Sequence, residues 1–226
     1  MTYDFIVTGS SGLLGTTLVR DLELAGKSVL GADLETGLDL TDEDSVKYFF
    51  RKNQARNLVN LFARNDKVTR EGFDSSFLDL ELHEFRQTLE VNLTALFSVC
   101  REFIRNNDFG SIVNFSSIYG VKSPDPKIYP RGEKPISYGV SKAGVLQLSR
   151  HLAVHSAPSF RVNTIILGGI FENQDSEFIA NYSNKVPLGR MGSPAEILSA
   201  VEFLTSPAAS YVTGASLAID GGLTAW

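Results

Sequence analysis

Two tyrosine–lysine pairs, each four residues apart, have the residue types of a proton-transfer site. Tyr138 and Lys142 form the later pair, and Tyr48 and Lys52 form the earlier one. Side chains at this spacing lie on one face of a helix. An ammonium beside a phenol favours the phenolate, so the tyrosine could exchange a proton with a substrate oxygen nearer neutral pH. The spacing alone is common, and the surrounding sequence must decide between the two pairs.

The residues before the later pair favour it as the chemical site. An apolar strand pattern ends there in Ser116 and Ser117, so a serine hydroxyl could lie beside the phenol of Tyr138. Tyr48 has no comparable neighbour, and its segment is typical of an ordinary amphipathic helix. We therefore predict proton transfer at Tyr138 and no catalytic role for Tyr48.

A glycine-rich turn follows the first apolar segment and precedes the first helical pattern. Its glycines are Gly9, Gly12 and Gly15. Glycines let the backbone turn sharply and approach a pyrophosphate, while the following helix offers unpaired N–H groups and a positive dipole end. A tight strand–helix turn is the plainer interpretation. The position at the first strand–helix junction nevertheless favours a nucleotide site.

Asp33 ends the second strand pattern, where an acidic residue can accept hydrogen bonds from an adenosine ribose. Its charge would repel a 2′-phosphate, which favours NAD over NADP; the alternative is an aspartate that only begins a turn. The few residues between Asp33 and Leu38 cannot hold the helix of a parallel crossover, which needs about a dozen residues. The adenine end of the site must therefore be shortened, and NADP stays possible.

Short apolar segments alternate with longer helical patterns along the chain. The pattern predicts strands at 5–7, 28–32, 58–61, 111–115, 161–166 and 216–219, and helices at 13–25, 42–53, 82–106, 137–155 and 194–204, with Thr41 as N-cap of the second helix. Such alternation indicates a doubly wound, Rossmann-type parallel sheet covered by helices on both faces, a three-layer α/β/α fold. We expect one domain over residues 1–226, with long loops at 62–80 and 118–135.

Composition and charge exclude several classes of protein. The chain has 226 residues, of which 43% are hydrophobic and 21% charged, as in ordinary globular domains. Its formal net charge is −5, which argues against nucleic-acid binding. No apolar stretch reaches the ~18 residues of a membrane span, and no signal-peptide pattern begins the chain. The single cysteine, Cys100, predicts neither a disulfide nor a metal site. We expect a cytoplasmic protein without membrane or nucleic-acid partners.

Taken together, these motifs resemble the short-chain dehydrogenase/reductase family over nearly the whole chain. The resemblance rests on the glycine-rich turn and on the segments 39–42, 91–93, 112–117, 138–142, 161–163, 211–214 and 220–222. It implies a Rossmann-type fold and an NAD(P)-dependent oxidoreductase that interconverts a secondary alcohol and a carbonyl on a small-molecule substrate. It also implies a homodimer or homotetramer built on the helices at 82–106 and 137–155.

The resemblance assigns roles to four catalytic residues. Tyr138 would be the general acid/base, and Lys142 would lower its pKa and bind the nicotinamide ribose. Ser117 would hydrogen-bond the reacting oxygen, and Asn92 would hold a water molecule in a proton relay. The implied contacts to the cofactor are Gly9, Ser11, Gly12, Leu14, Gly15, Asp33, Asp39, Leu40, Ala63, Tyr138, Lys142, Gly168 and Ile170.

The chain also departs from the family pattern. The motif after the middle strand is altered at 60–63, and the active-site loop carries a proline-rich insert at 119–135. The insert, the segment 168–174 and the ending 221–226 resemble bacterial members associated with surface-polysaccharide or flagellin-sugar pathways, which suggests a sugar-type substrate. Two alternatives stay open. One is a sugar-nucleotide epimerase or dehydratase that uses the dinucleotide transiently, and the other is a non-catalytic dinucleotide sensor.

Overall fold

Six parallel strands form one sheet in the computed structural model, which describes residues 2–65, 77–129 and 133–226. The strands are β1 (Thr2–Thr8), β2 (Val29–Ala32), β3 (Gln54–Asn60), β4 (Gly110–Ser117), β5 (Phe160–Leu167) and β6 (Ser216–Ile219). Their order across the sheet is β2-β1-β3-β4-β5-β6. The predicted loop 62–80 and the insert 119–135 lie partly outside the described residues.

Helices cover both faces of this sheet. They are α1 (Leu13–Leu24), α2 (Glu43–Lys52), α3 (Leu82–Leu89), α4 (Ala95–Asn106), α5 (Ile136–His155), α6 (Ser176–Ser183) and α7 (Leu198–Thr205). Alternate strand residues point to opposite faces. Ile6 and its equivalents therefore pack with α2, α4 and α5, whereas Val7 and its equivalents pack with α1 and α7. This arrangement confirms the three-layer, Rossmann-type fold.

Several local predictions need correction. Asp42, not Thr41, caps α2, because its carboxylate accepts the Asp44 N–H. The helix expected at 194–204 begins as a 3₁₀ turn at Pro194–Ile197 before α7, since a capping box joins Ser193 and Glu196 around Pro194. Helix α6 was not predicted: Tyr182 is its only buried residue, so it has almost no apolar period to detect.

The chain after β2 is as short as its sequence predicts. A 3₁₀ turn at Leu34–Thr36 ends at Gly37, whose φ of 86° is left-handed. Leu38 and Leu40 then return to the core before α2. In the Rossmann order 3-2-1-4-5-6 a further strand lies outside the second one. In the described part of this chain β2 is itself the edge, so the adenine side of the sheet is shortened.

Candidate active site

The predicted site residues gather where the parallel strands end. Gly9 follows β1, Asp33 follows β2, Ser117 ends β4 and Gly168 follows β5. Ala63 is exposed three residues after the end of β3. Ligands of open parallel sheets bind at this carboxyl edge. The topology therefore brings both the glycine-rich turn and the catalytic candidates to the same side of the molecule.

The three glycines of the turn have different physical roles. Gly9 has a φ of 70°, and a Cβ on it would lie 2.4 Å from the Phe62 nitrogen. A Cβ on Gly15 would lie 2.1 Å from the Gly9 carbonyl oxygen. Gly12 is exposed and has an ordinary extended backbone, and the nearest atom to a Cβ there is 3.5 Å away. The turn thus requires glycine at positions 9 and 15, whereas at Gly12 the absence of a side chain leaves open space on the outer side of the turn.

That space lies at the start of α1. Gly12 is the N-cap of this helix and supplies no side-chain cap, so the first N–H groups of the helix keep their capacity to bind an anion. A helix N-terminus of this kind is a ready anion site because its dipole adds positive potential. The turn therefore fits the pyrophosphate of a dinucleotide.

Replacing Gly12 with valine should sharply weaken NADH binding without loss of folding. Valine adopts the φ of −75° and ψ of 173° found at this position, so its branched side chain would obstruct the ligand rather than the fold. Titration with NADH measures the affinity, and a thermal melt measures the stability. Gly15→Ala is the matched control, since its clash with the turn backbone should lower the melting temperature. Unchanged NADH affinity in Gly12→Val would contradict this site.

The carboxylates of Asp33 and Asp39 both accept hydrogen bonds within the protein. The Asp33 carboxylate accepts the Ser11 N–H at 3.2 Å and the Glu35 N–H at 3.2 Å. Asp39 accepts the N–H and hydroxyl of Thr41. Asp33 therefore links the edge strand directly to the glycine-rich turn and places a half-buried negative charge there.

The other residues predicted to contact the cofactor differ in how accessible they are to a ligand. The side chain of Leu40 is buried in the core and offers a ligand no side-chain surface. Leu14 and Ile170 are half-buried against the core on the α1 side of the sheet. The Gly168 N–H donates to the Ile219 carbonyl at 2.9 Å. The structure thus gathers the turn residues, Asp33 and Ala63 at one edge but leaves the Leu40 side chain out of it.

Ser117, Tyr138 and Lys142 converge at the end of β4. Burial raises the pKa of the Tyr138 phenol, and a hydrogen bond with the Ser117 hydroxyl opposes part of that rise. That hydroxyl also accepts the Tyr119 N–H at 3.2 Å. The buried ammonium of Lys142 donates to the Phe115 carbonyl at 2.9 Å and lies 5.8 Å from the centre of the Tyr138 ring. These are the parts of a general acid/base site.

Burial sets the charge state of this pair. Loss of water around Tyr138 outweighs the Ser117 hydrogen bond and raises the pKa of the phenol to about 12. Loss of water also lowers the pKa of Lys142 to about 8. Desolvation disfavours both charged forms and is the larger effect here. Tyr138 therefore keeps its proton at neutral pH and can donate it to a carbonyl oxygen. That Lys142 lowers the pKa of the phenol stays a prediction.

The earlier tyrosine–lysine pair shows why spacing alone is a poor guide. The Lys52 ammonium lies 5.8 Å from the centre of the Tyr48 ring, the same separation as in the later pair. Tyr48, however, is 66% exposed on α2. Burial and a serine neighbour distinguish the two pairs, and both features follow from the position of Tyr138 beside β4.

Asn92 lies in a π-helical segment, Glu90–Thr94, between α3 and α4. Such segments are frequent at functional sites. Its side chain accepts the Arg64 N–H at 2.7 Å and donates to the Arg64 carbonyl and to the Ser141 hydroxyl, each at 3.0 Å. Ser141 precedes Lys142. Asn92 thus fastens the chain after β3 to the catalytic helix, and its role in a water relay stays a prediction.

Sequence reasoning missed two groups near this site. A buried hydrogen-bond chain links Thr8, Asn60, Asn114 and Ser149 across three strands and α5. Asn60 and Asn114, two amides inside apolar strand patterns, could have signalled it. The Lys134 ammonium lies 4.5 Å from the centre of the Tyr138 ring and also contacts Asn65. This second lysine comes from the insert, where no motif marks it.

Comparison with known proteins identifies the family. A family model described as "Enoyl-(Acyl carrier protein) reductase" matches residues 17–224. The chain belongs to the short-chain dehydrogenase/reductase family. It is therefore an NAD(P)-dependent dehydrogenase/reductase.

Individual relatives span nearly the whole chain. A 3-oxoacyl-[acyl-carrier-protein] reductase of Aquifex aeolicus is 30% identical, over 96% of this chain and 86% of its own length. A galactitol 2-dehydrogenase (L-tagatose-forming) of Cereibacter sphaeroides is also 30% identical, over 97% and 94%. A short-chain dehydrogenase of Leptospira borgpetersenii, solved with bound NAD+, is 34% identical with a TM-score of 0.85, over 97% and 92%.

Within the part of the chain that the structure describes, no helix combines the length and the apolar character that crossing a bilayer requires.

Proposed function

We propose that this reductase interconverts a secondary alcohol and a carbonyl on a sugar or sugar derivative, with NAD as the preferred dinucleotide. The observation that carries the reaction is the half-buried Tyr138 beside the Ser117 hydroxyl, because loss of water raises the pKa of its phenol to about 12 and keeps it protonated at neutral pH. The galactitol dehydrogenase among the relatives supports a polyol substrate. The NAD+-bound Leptospira relative supports the choice of dinucleotide.

Each residue then has a part in the reaction. Ser117 and Tyr138 hold the reacting oxygen. The phenol gives that oxygen a proton in reduction, and in oxidation the phenolate takes the proton of the alcohol. Lys142 and the glycine-rich turn hold the ribose and pyrophosphate, and Asn92 positions the segment that carries Lys142. The bound nicotinamide supplies or accepts the hydride.

Cofactor choice is tested at Asp33. Asp33→Ala should narrow the difference in affinity between NADH and NADPH, because it removes the charge that repels a 2′-phosphate. It should also weaken NADH binding modestly, since the Ser11 N–H loses its acceptor. Binding titrations with both dinucleotides measure this, and Asp39→Ala is the control. A wild-type protein that prefers NADPH would show that the shortened segment 34–41 has redirected the adenosine site.

The proposed assembly needs a revised surface. The two helices expected to form the contact between copies place several apolar residues in the core of the chain itself, namely Leu96, Val99, Val145, Leu146 and Leu152. Phe97 and Val140 remain 44% and 46% exposed on α4 and α5. We still expect an isologous dimer or a tetramer. Light scattering at micromolar concentration should give a multiple of the chain mass, and a monomer would contradict the proposal.

The reaction itself is tested by turnover. Sugar-derived ketones and polyols, offered with NADH or NAD, should change the nicotinamide absorbance in proportion to the substrate consumed. Tight NADH binding without turnover on such a panel would favour the sensor alternative. The cytoplasmic location expected from the sequence stays a prediction, which cell fractionation would check.

A further inference from the structure

A cavity of about 420 Å³ lies outside the residues predicted to bind the cofactor. The insert after β4 contributes Tyr119, Lys122 and Asp125, the chain after α6 contributes Lys185, and the C-terminal segment contributes Trp226. Small-molecule sites usually have volumes of ~300–1,000 Å³. The cavity is therefore large enough to hold a ligand of the size of a sugar.

Tyr119 connects this cavity to the catalytic pair. Its N–H donates to the Ser117 hydroxyl at 3.2 Å. Its carbonyl oxygen lies 2.9 Å from where a Cβ on Gly139 would stand, one residue beyond Tyr138. The Tyr129 hydroxyl bonds that of Tyr119 at 2.7 Å and fixes the ring. A molecule in the cavity would thus contact the residue that holds Ser117 in place.

The charges in the cavity favour an anionic ligand. Lys185 and Asp125 form an ion pair at 2.8 Å, which satisfies both groups. The Lys122 ammonium donates to the Leu223 carbonyl at 3.3 Å. Within the described ranges 2–65, 77–129 and 133–226, no carboxylate forms an ion pair with Lys122. An anionic group could therefore bind Lys122 without breaking an existing ion pair.

The remaining lining suits a hydroxylated molecule. The Asn184 amide and the Ser123 hydroxyl can each donate and accept hydrogen bonds. The Trp226 side chain, 75% exposed, offers a flat apolar surface beside them. Polar groups that alternate with an aromatic ring match the hydroxyls and the C–H face of a sugar.

We propose that this cavity binds a polyhydroxylated anion, either a sugar acid or a sugar phosphate, with its anionic group on Lys122. The inference rests on the proposed function: the bound molecule is the substrate, and Tyr119, which lines the cavity and donates its N–H to Ser117, is the side on which it would approach the catalytic residues. Lys122 would then determine specificity, while Ser117 and Tyr138 perform the proton transfer.

The single tryptophan of the chain lines the cavity, so its fluorescence reports binding directly. The protein with NAD bound is titrated with a hexonate, a hexose phosphate and a neutral hexitol. We expect a saturable change with at least one of the two anions and weaker binding of the hexitol. Lys122→Gln should raise the Kd of that anion about tenfold or more, the usual scale of a lost charged hydrogen bond.

Lys127→Gln is the matched control, because Lys127 is an exposed lysine of the same insert that does not line the cavity. Its Kd should equal that of the wild type. No saturable change with either anion, equal binding of the hexitol, or an equal loss in Lys127→Gln would overturn the proposal.

Turnover measured in parallel separates this proposal from the proposed reaction. Binding that depends on Lys122 without turnover of the bound anion would support the anion site but overturn the statement that its ligand is the substrate. Turnover of a sugar ketone with no Lys122 effect on KM or Kd would support the reaction and overturn the cavity site.

Discussion

Tyr138→Phe should lower kcat by roughly 10²–10⁴-fold, the usual contribution of a general acid/base. The substitution removes only the hydroxyl that exchanges the proton. The half-buried ring keeps its place beside β4, so the melting temperature and the Kd for NADH should change little. Steady-state kinetics on any substrate found by the turnover panel, together with an NADH titration, measure both effects.

Tyr48→Phe is the control for this prediction, because that residue has the same lysine spacing and the same ring-to-ammonium distance on an exposed helix face. Its kcat should equal that of the wild type. Near-normal kcat in Tyr138→Phe, together with a loss in Tyr48→Phe, would place the catalytic helix at α2 and contradict the site.

Lys142→Ala should damage both turnover and cofactor affinity. The buried ammonium lies beside the Tyr138 ring and is fixed by the Phe115 carbonyl, and by family resemblance it also binds the nicotinamide ribose. We expect kcat to fall by about 10²-fold or more and the Kd for NADH to rise. Lys52→Ala on α2 is the matched control and should change neither quantity. A loss of kcat with an unchanged Kd for NADH would show that Lys142 does not bind the nicotinamide ribose.

Lys142→Ala should also change how the free energy of unfolding depends on pH, which can be measured without a substrate. The pKa of Lys142 is about 8 in the folded protein and 10.5 in the unfolded chain. Between these values the unfolded chain binds more protons, so Lys142 makes the free energy of unfolding rise with pH. Denaturant titrations at pH 8 and pH 10 should show this rise reduced in Lys142→Ala relative to the wild type. An identical pH dependence would mean that Lys142 is not buried.

The sequence predicts the layers of the fold well because buried parallel strands are short apolar segments between helical patterns. It also places Ser117 and Tyr138 at the same edge of the sheet, since Ser117 ends β4 and Tyr138 lies near the start of α5. The sequence does not predict helix α6, because its single buried residue, Tyr182, produces no helical repeat of apolar residues. Several apolar residues of the helices expected at a subunit contact lie in the core, because an apolar pattern alone does not distinguish a core face from a contact face.

Electrostatics at the site could not be inferred from residue types. A lysine four residues from a tyrosine suggested a lowered phenol pKa, but burial raises it and lowers that of the lysine. The size of such desolvation depends on how β4 and α5 pack together, which motifs do not encode. The cavity around Lys122 is equally a product of three segments distant in the chain.

Transfer of hydrogen from cofactor to substrate is the most direct test of the proposed oxidoreduction. NADH with both hydrogens at C4 of the nicotinamide replaced by deuterium is incubated with a sugar-derived ketone, and the product is examined by mass spectrometry. We predict one deuterium on the new carbinol carbon for each cofactor oxidised, formed far more slowly by Tyr138→Phe. A substrate that is epimerised or dehydrated without net cofactor oxidation, or tight NADH binding with no label on any ketone tested, would contradict it.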